Sequence, residues 1–335
     1  MLPLRLTDFV MSSYRDHYGR SLEYLRVSVT DRCNFRCPYC RPETGELYDP
    51  PADHLKAAEI ARVVDVSRQL GVRAVRFTGG EPLLRRDLPD VIAAVRDLGV
   101  TDLALTTNAW RLAKRTKSLW QAGLRRINIS LDALSKDRFR RLSGGLDIEP
   151  TLKGIDAAIE QGFEVKTNTV VMAGENSGEL LELAQFAWAR GLTPRFIELM
   201  PIGAGALATH RRIDVEEILQ AFEAVPEPQN EAIRYGRGPA SYWYHQGKPH
   251  QKLGVIGATT RNFCASCNRA RLTATGGFRP CLASNLGYEI RPLLRQGCTD
   301  QELLNGILEG MGRKPEGHRF HEGLAGENAM RGIGG

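Results

Sequence analysis

The sequence predicts an α/β protein, an open or incomplete barrel of six strand–helix units followed by a smaller subdomain. Three observations predict it. Six β-like runs alternate with amphipathic helical stretches, Gly71, Gly99, Gly123, Gly162 and Gly191 follow five of those stretches, and the alternation stops near Pro226 and Pro228. Strands alternating with helices imply parallel pairing through right-handed crossovers. Six units are too few for a full eight-stranded barrel, so one side must be covered by something else.

The strand-like runs are residues 22–30, 73–78, 102–106, 126–131, 163–171 and 194–199. The helical stretches are residues 54–70, 87–98, 110–122, 150–161, 178–190 and 214–222. In each unit the apolar period switches from two to about 3.6, and in five of the six a following glycine supplies the C-cap signal. Beyond residue 228 short strands with Gly and Pro turns dominate, at 242–244, 253–256 and through the cysteine-bearing segment 264–281. The expected division is therefore residues 1–228 for the partial barrel and 229–335 for the second subdomain.

Length and composition agree with this reading. The chain has 335 residues, 25% of them charged, which is ordinary globular usage. No apolar run approaches the ~18 residues of a membrane span. Arg5 and Asp8 interrupt the N-terminus, so a signal peptide is not expected and the expected location is the cytoplasm. The net charge of +6 suits an anionic ligand or plain solubility, and no block of like charges marks a nucleic-acid tail.

The cysteines carry more information. There are seven, and without a secretion signal an odd number argues against a disulfide framework. Cys33, Cys37 and Cys40 form C-x3-C-x2-C directly after the first strand, at the strand end where α/β proteins bind ligands. Three thiolates on one short loop can grip a four-iron cluster and leave one iron open. Spacing alone also leaves zinc or plain core cysteines open, although no fourth Cys or His is nearby. Cys264, Cys267 and Cys281 form C-x2-C-x13-C, which spacing alone divides between a zinc ribbon short of one ligand and an iron–sulfur site. A thioredoxin-type reading is weaker, since no βαβ unit surrounds this pair. In an extended segment Arg269 and Arg271 share a face and suit a polyanion.

The first cysteine loop, with Tyr39 before its last thiol, and Thr78-Gly79-Gly80-Glu81-Pro82 resemble the signature of the radical S-adenosylmethionine (SAM) superfamily. Glycines in that second segment allow close backbone approach to a ligand. The segment FCASCNRARLTATGGFRPCL resembles the C-terminal motif of the GTP 3′,8-cyclase family, radical SAM enzymes that open molybdenum cofactor biosynthesis. The likeness spans nearly the whole chain, from YLRVSVTDRC at residues 24–33 through Thr106-Thr107-Asn108, residues 128–132 (NISLD) and 196–200 (FIELM) to Gly334-Gly335.

The resemblance implies two [4Fe-4S] clusters, one on Cys33, Cys37 and Cys40 and the other on Cys264, Cys267 and Cys281. It implies SAM contacts from Tyr39, Gly80, Ser130 and Met200. Arg26, Arg76, Thr106, Lys166, Arg269, Ala270 and Arg271 would surround GTP, whose guanine would meet the second cluster. The implied reaction takes hydrogen from ribose C3′ and joins that carbon to guanine C8, with the tail glycines Gly334 and Gly335 reaching into the active site. An external electron donor and a downstream cyclic pyranopterin monophosphate synthase are implied partners. A homodimer is compatible with the sequence, which does not fix the oligomeric state.

Several features are set aside. Residues 203–208 match G-x-G-x-x-A but follow Pro201 on the sixth unit, a poor place for a dinucleotide turn. No P-loop occurs. The sequon at Asn128 falls in an expected buried strand. Ala109 stands where the family commonly has glycine, Cys298 reads as a small buried hydrophobe, and His318 and His321 read as solvent-exposed. Two alternatives remain beside the cyclase: a radical SAM maturase acting on a peptide, and a zinc-bearing binding module without radical chemistry.

Overall fold

The computed structural model describes residues 14–40, 48, 50–226, 238–245, 248–322 and 330–334. Six parallel strands come from the first part of the chain: β1 (Tyr24–Ser28), β2 (Ala74–Thr78), β3 (Asp102–Thr107), β4 (Arg126–Ser130), β5 (Glu164–Val171) and β6 (Thr193–Glu198). They pair in sequence order, each with the next, as right-handed crossover units require. The covering helices are α1 (Ala57–Arg68), α2 (Leu88–Asp97), α3 (Thr116–Gln121), α4 (Lys136–Ser143), α5 (Glu149–Glu160), α6 (Leu180–Trp188) and α7 (Val215–Gln220). α1 buries Ile60, Val63 and Val64, the i, i+3, i+4 stripe of an amphipathic helix. All five glycines read as C-cap signals have positive φ, between 69° and 110°.

The rest of the chain contributes β7 (Ala224–Pro226), β8 (Ser241–His245), β9 (Lys248–Ile256), β10 (Arg269–Leu272), β11 (Gly277–Arg279) and β12 (Tyr288–Glu289). These strands join the same sheet, whose order is β12-β11-β10-β1-β2-β3-β4-β5-β6-β9-β8-β7. β10 pairs parallel with β1, and β9 parallel with β6. The six-unit barrel is thus extended by one parallel strand at each open edge, and antiparallel ribbons finish both sides. The 228/229 division expected from the sequence lies outside the described residues.

The structure differs from the sequence reading at several elements. α4 was not expected, because five of its eight residues, KDRFRRLS, are charged and its apolar stripe is short. α3 begins at Thr116 rather than near 110, since residues 110–115 form turns. The second subdomain is not only short strands: it carries α8 (Arg291–Arg295), α9 (Asp300–Gly312) and the terminal turn α10 (Met330–Ile333). Residues 203–211 form a 3-10 stretch and not the strand-to-helix turn of a dinucleotide site.

Strand periodicity decides what faces the barrel interior. On β5 the pattern alternates, with Val165, Thr167, Thr169 and Val171 buried against the helices and Lys166, Asn168 and Val170 on the other face. Register then assembles the interior. Arg26 on β1 is the Cα partner of Arg271 on β10 and of Arg76 on β2, so three arginines form a row across adjacent parallel strands. Asn168 on β5 partners Ser130 on one side and Arg195 on the other.

Candidate active site

Two adjoining cavities occupy the barrel interior. The first, about 1180 Å³ counted out to open solvent, is lined by Cys33, Cys37, Cys40, Tyr39, Gly80, Ser130 and Met200 among others. All four residues expected at SAM and the whole first cysteine trio therefore line one cavity. None of the seven cysteines is in a disulfide.

The cysteine loop is held from several directions. The Gly80 N–H donates to Thr30 O at 2.7 Å and the Glu81 N–H to Arg32 O at 2.7 Å, laying the glycine segment along the loop's entry. A Cβ on Gly80 would stand 2.4 Å from Arg32 O, and one on Gly79 2.3 Å from Thr30 O. These glycines are needed first for contact with the chain itself, which differs from the ligand-approach role expected from the sequence. The Tyr39 hydroxyl donates to Asp132 Oδ2 at 2.7 Å, and the Val170 N–H donates to Asp132 Oδ1 at 2.9 Å. Asn108 Nδ2 donates to Asn34 Oδ1 at 3.0 Å, tying β3 to the same loop.

Glu81 fastens the ends of β2 and β3 together. It accepts from Thr107 Oγ1 at 2.6 Å, the Asn108 N–H at 2.8 Å and the Leu83 N–H at 2.9 Å. Burial nonetheless raises its pKa to about 7. Asp132, also buried, is raised to about 6. Burial, with Asp132 adding to it, pushes the Cys37 thiol well up, so a thiolate there requires cationic company such as iron.

At Ala109, where the family commonly has glycine, the backbone is left-handed with φ 60°. Its N–H donates to Thr107 Oγ1 at 3.0 Å, and Gly154 leaves room for its carbonyl, since a Cβ there would fall 2.3 Å from Ala109 O. The turn survives the loss of glycine at a cost of about 1–2 kcal/mol.

The second cavity, about 1100 Å³ counted the same way, is lined by Cys264, Cys267 and Cys281 together with Arg26, Arg76, Thr106, Arg269, Ala270 and Arg271. Lys166 is the exception among the residues expected at GTP. It lines a smaller adjoining pocket near the strand starts, which shares Arg76 and Arg195 with the second cavity, and it pairs with Glu164 at 2.8 Å. The arginines depress one another. Burial and then Arg271 hold Arg26 well below the usual range, and burial with Arg269 lowers Arg271 to about 10. Arg76 Nε, Arg195 Nε, Thr106 Oγ1 and Asn168 Oδ1 are buried with no hydrogen-bond partner among the described residues. Crowded cations and orphaned polar atoms around an open volume fit a bound polyanion.

Burial raises the thiol pKa of Cys267, but Arg269 and Lys314 outweigh it and bring the value to about 7. Among the described residues no group of three His, Cys, Asp or Glu is placed to hold one metal ion. A cubane places a different demand, because each of its thiolates binds a separate iron.

The terminal turn enters this interior. Met330 lines the first cavity, and Arg271 donates to Ile333 O at 3.0 Å and to Gly334 O. A Cβ on Gly334, whose φ is 73°, would lie 2.3 Å from Thr78 Cγ2. Gly335 lies outside the described residues. His318, expected to be exposed, instead lines the second cavity, stacks on Phe320 at 4.1 Å and bonds Ala258 O at 2.7 Å. The His321 side chain lies outside the described residues. Cys298 is half-buried against the core. Asn168 and Arg195 were missed in the sequence, although interior alternation from Lys166 and Ile197 points to both.

A parallel barrel with three cysteines after its first strand defines the radical SAM class. The Radical SAM superfamily model matches residues 27–187, and the Molybdenum Cofactor Synthesis C model matches residues 192–320. A curated GTP 3′,8-cyclase of Pelotomaculum thermopropionicum is 40% identical over 325 residues, 96% of this chain and 100% of that one. The GTP 3′,8-cyclase of Hydrogenovibrio crunogenus is 39% identical, over 92% and 95% of the two chains. The chain belongs to the GTP 3′,8-cyclase family of the radical SAM superfamily. That membership brings a [4Fe-4S] cluster and SAM as cofactors. Among solved structures, SuiB of Streptococcus suis bound to S-adenosylmethionine superposes with a TM-score of 0.56 at 16% identity, covering 78% of this chain and 60% of that one. This likeness bears on the fold alone. Among the described residues no helix is long and apolar enough to cross a membrane.

Proposed function

We propose that this chain converts GTP to (8S)-3′,8-cyclo-7,8-dihydroguanosine 5′-triphosphate at the first stage of molybdenum cofactor biosynthesis. The observation that carries the proposal is the common wall: Thr106, Asn168, Ile197 and Met200 line both cavities, so the thiol trios serve one interior.

In this reading Cys33, Cys37 and Cys40 hold the SAM cluster, and Tyr39, Gly80, Ser130 and Met200 contact SAM. Cys264, Cys267 and Cys281 hold a second [4Fe-4S] cluster that meets the guanine. When bound, the first cluster and SAM supply the one-electron chemistry that removes hydrogen from ribose C3′. The protein's part is placement. Arg26, Arg76, Arg269 and Arg271 grip the triphosphate, where burial strengthens each charge-assisted bond. Thr106 and Ala270 line the nucleotide's cavity, and Lys166 stands in the adjoining pocket that shares Arg76 and Arg195 with it. Ile197, Leu199, Met200 and Val170 give the SAM side an apolar lining that excludes water. Gly334 enters beside Thr78, where a side chain would not fit, and Gly335 shares the tail's role in this reading.

The proposal extends to the setting. The chain divides at residues 228/229, works in the cytoplasm, takes electrons from an external donor and passes its product to a cyclic pyranopterin monophosphate synthase. The test is anaerobic. Reconstituted protein with reductant, SAM and GTP forms a cyclised GTP product and consumes SAM. Cleavage of SAM with GTP returned unchanged would overturn the substrate assignment.

A further inference from the structure

Two buried cations lie outside the roles described so far. Arg20 and Lys314 are 6% and 5% exposed, and both aim at the second cysteine pair. Arg20 Nη1 donates to Cys264 O at 3.0 Å and to Glu316 O at 2.7 Å, and Nη2 donates to Pro315 O at 2.8 Å. Its Nε is anchored on Asp16 Oδ2 at 2.6 Å. Lys314 Nζ donates to Cys267 O at 2.7 Å and to Arg269 O at 3.1 Å. The carbonyls at both ends of the C-x2-C turn are thus held by buried cations from two distant parts of the chain. Gly317 lies against the same turn, where a Cβ would be in ordinary van der Waals contact with Cys264 Cβ at 3.4 Å.

The two cations are not equivalent. Arg20 has a carboxylate partner, whereas Lys314 forms no ion pair among the described residues. Lysine is almost never fully buried unless it is paired. Asp16 acts on this ammonium only from beyond ion-pair distance, and an anionic cluster on the neighbouring thiolates would supply the nearer counter-charge. We infer that Lys314, with Arg20 bracing the same turn, is a positioning residue of the second iron–sulfur site. Lys314 holds the Cys267 backbone and Arg20 the Cys264 backbone, so that both sulfurs face the cavity, and Lys314 neutralises part of the cluster's charge. This inference rests on the reading that the second trio holds a cluster.

Outer-shell partners typically set metal affinity by 10- to 100-fold. The experiment uses full-length protein with Cys33, Cys37 and Cys40 all replaced by Ala, so that iron at the second trio is read alone. In that background Lys314→Met loses iron to a chelator about 10- to 100-fold faster. Its cluster titrates at a more negative potential, because removing a positive charge disfavours the reduced form. Lys314→Arg restores retention and potential. Unchanged iron release and potential in Lys314→Met overturn the inference while leaving the second cluster in place. An iron-free second trio in the parent background removes the two-cluster reading itself, and the inference with it. Folding is controlled by Lys314→Met with Cys264, Cys267 and Cys281 replaced by Ala. There the SAM-dependent spectrum of the first cluster is expected to persist, and its loss would mark a general structural role and overturn the inference.

Discussion

Arg26, Arg76 and Arg271 stand side by side because three parallel strands share one register. Such a row stores repulsion that an anion relieves. Arg76→Met is therefore expected to weaken GTP binding by about 10- to 100-fold, the value of a charged hydrogen bond of about 1.5–3 kcal/mol. The thermal midpoint of the nucleotide-free protein should hold or rise, because an apolar side chain replaces a buried like charge. Calorimetric titration and thermal denaturation measure the two effects, and an unchanged GTP affinity or a lower thermal midpoint would contradict the account. Glu81 gives a pH dependence of known sign. Its folded pKa of about 7 lies above the ordinary 4.5, so the native state binds the extra proton between those values. Its contribution to stability is full below pH 4.5 and is lost as the pH rises through 7, amounting to about 3 kcal/mol. Glu81→Gln should flatten the decline in denaturation midpoint between pH 5 and pH 8, and an unaltered slope would show that the carboxylate does not titrate in this window. At this scale the sequence showed which residue types gather, since the cysteine spacing and the Arg269–Arg271 pair announce themselves. It did not show Asp132 under Tyr39 or Lys314 under Cys267, because those contacts join residues 93 and 47 positions apart.

Elements were legible where a period repeated. The six strands and the glycine-closed helices follow from alternation, and all six strands lie within a residue or two of their expected bounds. α9 was missed although Thr299 and Glu302 spell a capping box: the Glu302 N–H donates to Thr299 Oγ1 at 3.3 Å, and the Thr299 N–H donates to Glu302 Oε2 at 2.7 Å. The Gly and Pro content around it masked the helical period. Thr299→Ala should cost about 1 kcal/mol in denaturant unfolding. α9 also leads directly into Lys314, so its placement bears on the second thiol turn. The terminal turn α10 was not readable as structure, because a lone glycine pair at a chain end usually frays. Gly334→Ala would force a side chain into Thr78 at a left-handed position. Turnover should fall while iron content and SAM affinity stay near the parent values. A fully active Gly334→Ala enzyme would contradict the placement of the tail.

At the scale of the whole molecule, the open barrel and the C-terminal subdomain form one sheet with one interior. β9 and β10 extend the barrel at its two open edges, and β10 carries Arg269 and Arg271 in beside β1. The sequence implied that something must cover the missing side of a six-unit barrel, but not that the cover would join by parallel pairing. Register between strands more than two hundred residues apart leaves no local trace. The consequence is functional: the two cysteine trios, set on different parts of the chain, open on adjoining cavities with a common wall. Mössbauer spectroscopy of the iron-57-loaded, air-free protein tests this most directly. The account predicts two [4Fe-4S] signals, with SAM perturbing only the cluster on Cys33, Cys37 and Cys40 and GTP only the cluster on Cys264, Cys267 and Cys281. A single cluster, or a second one indifferent to GTP, would contradict it.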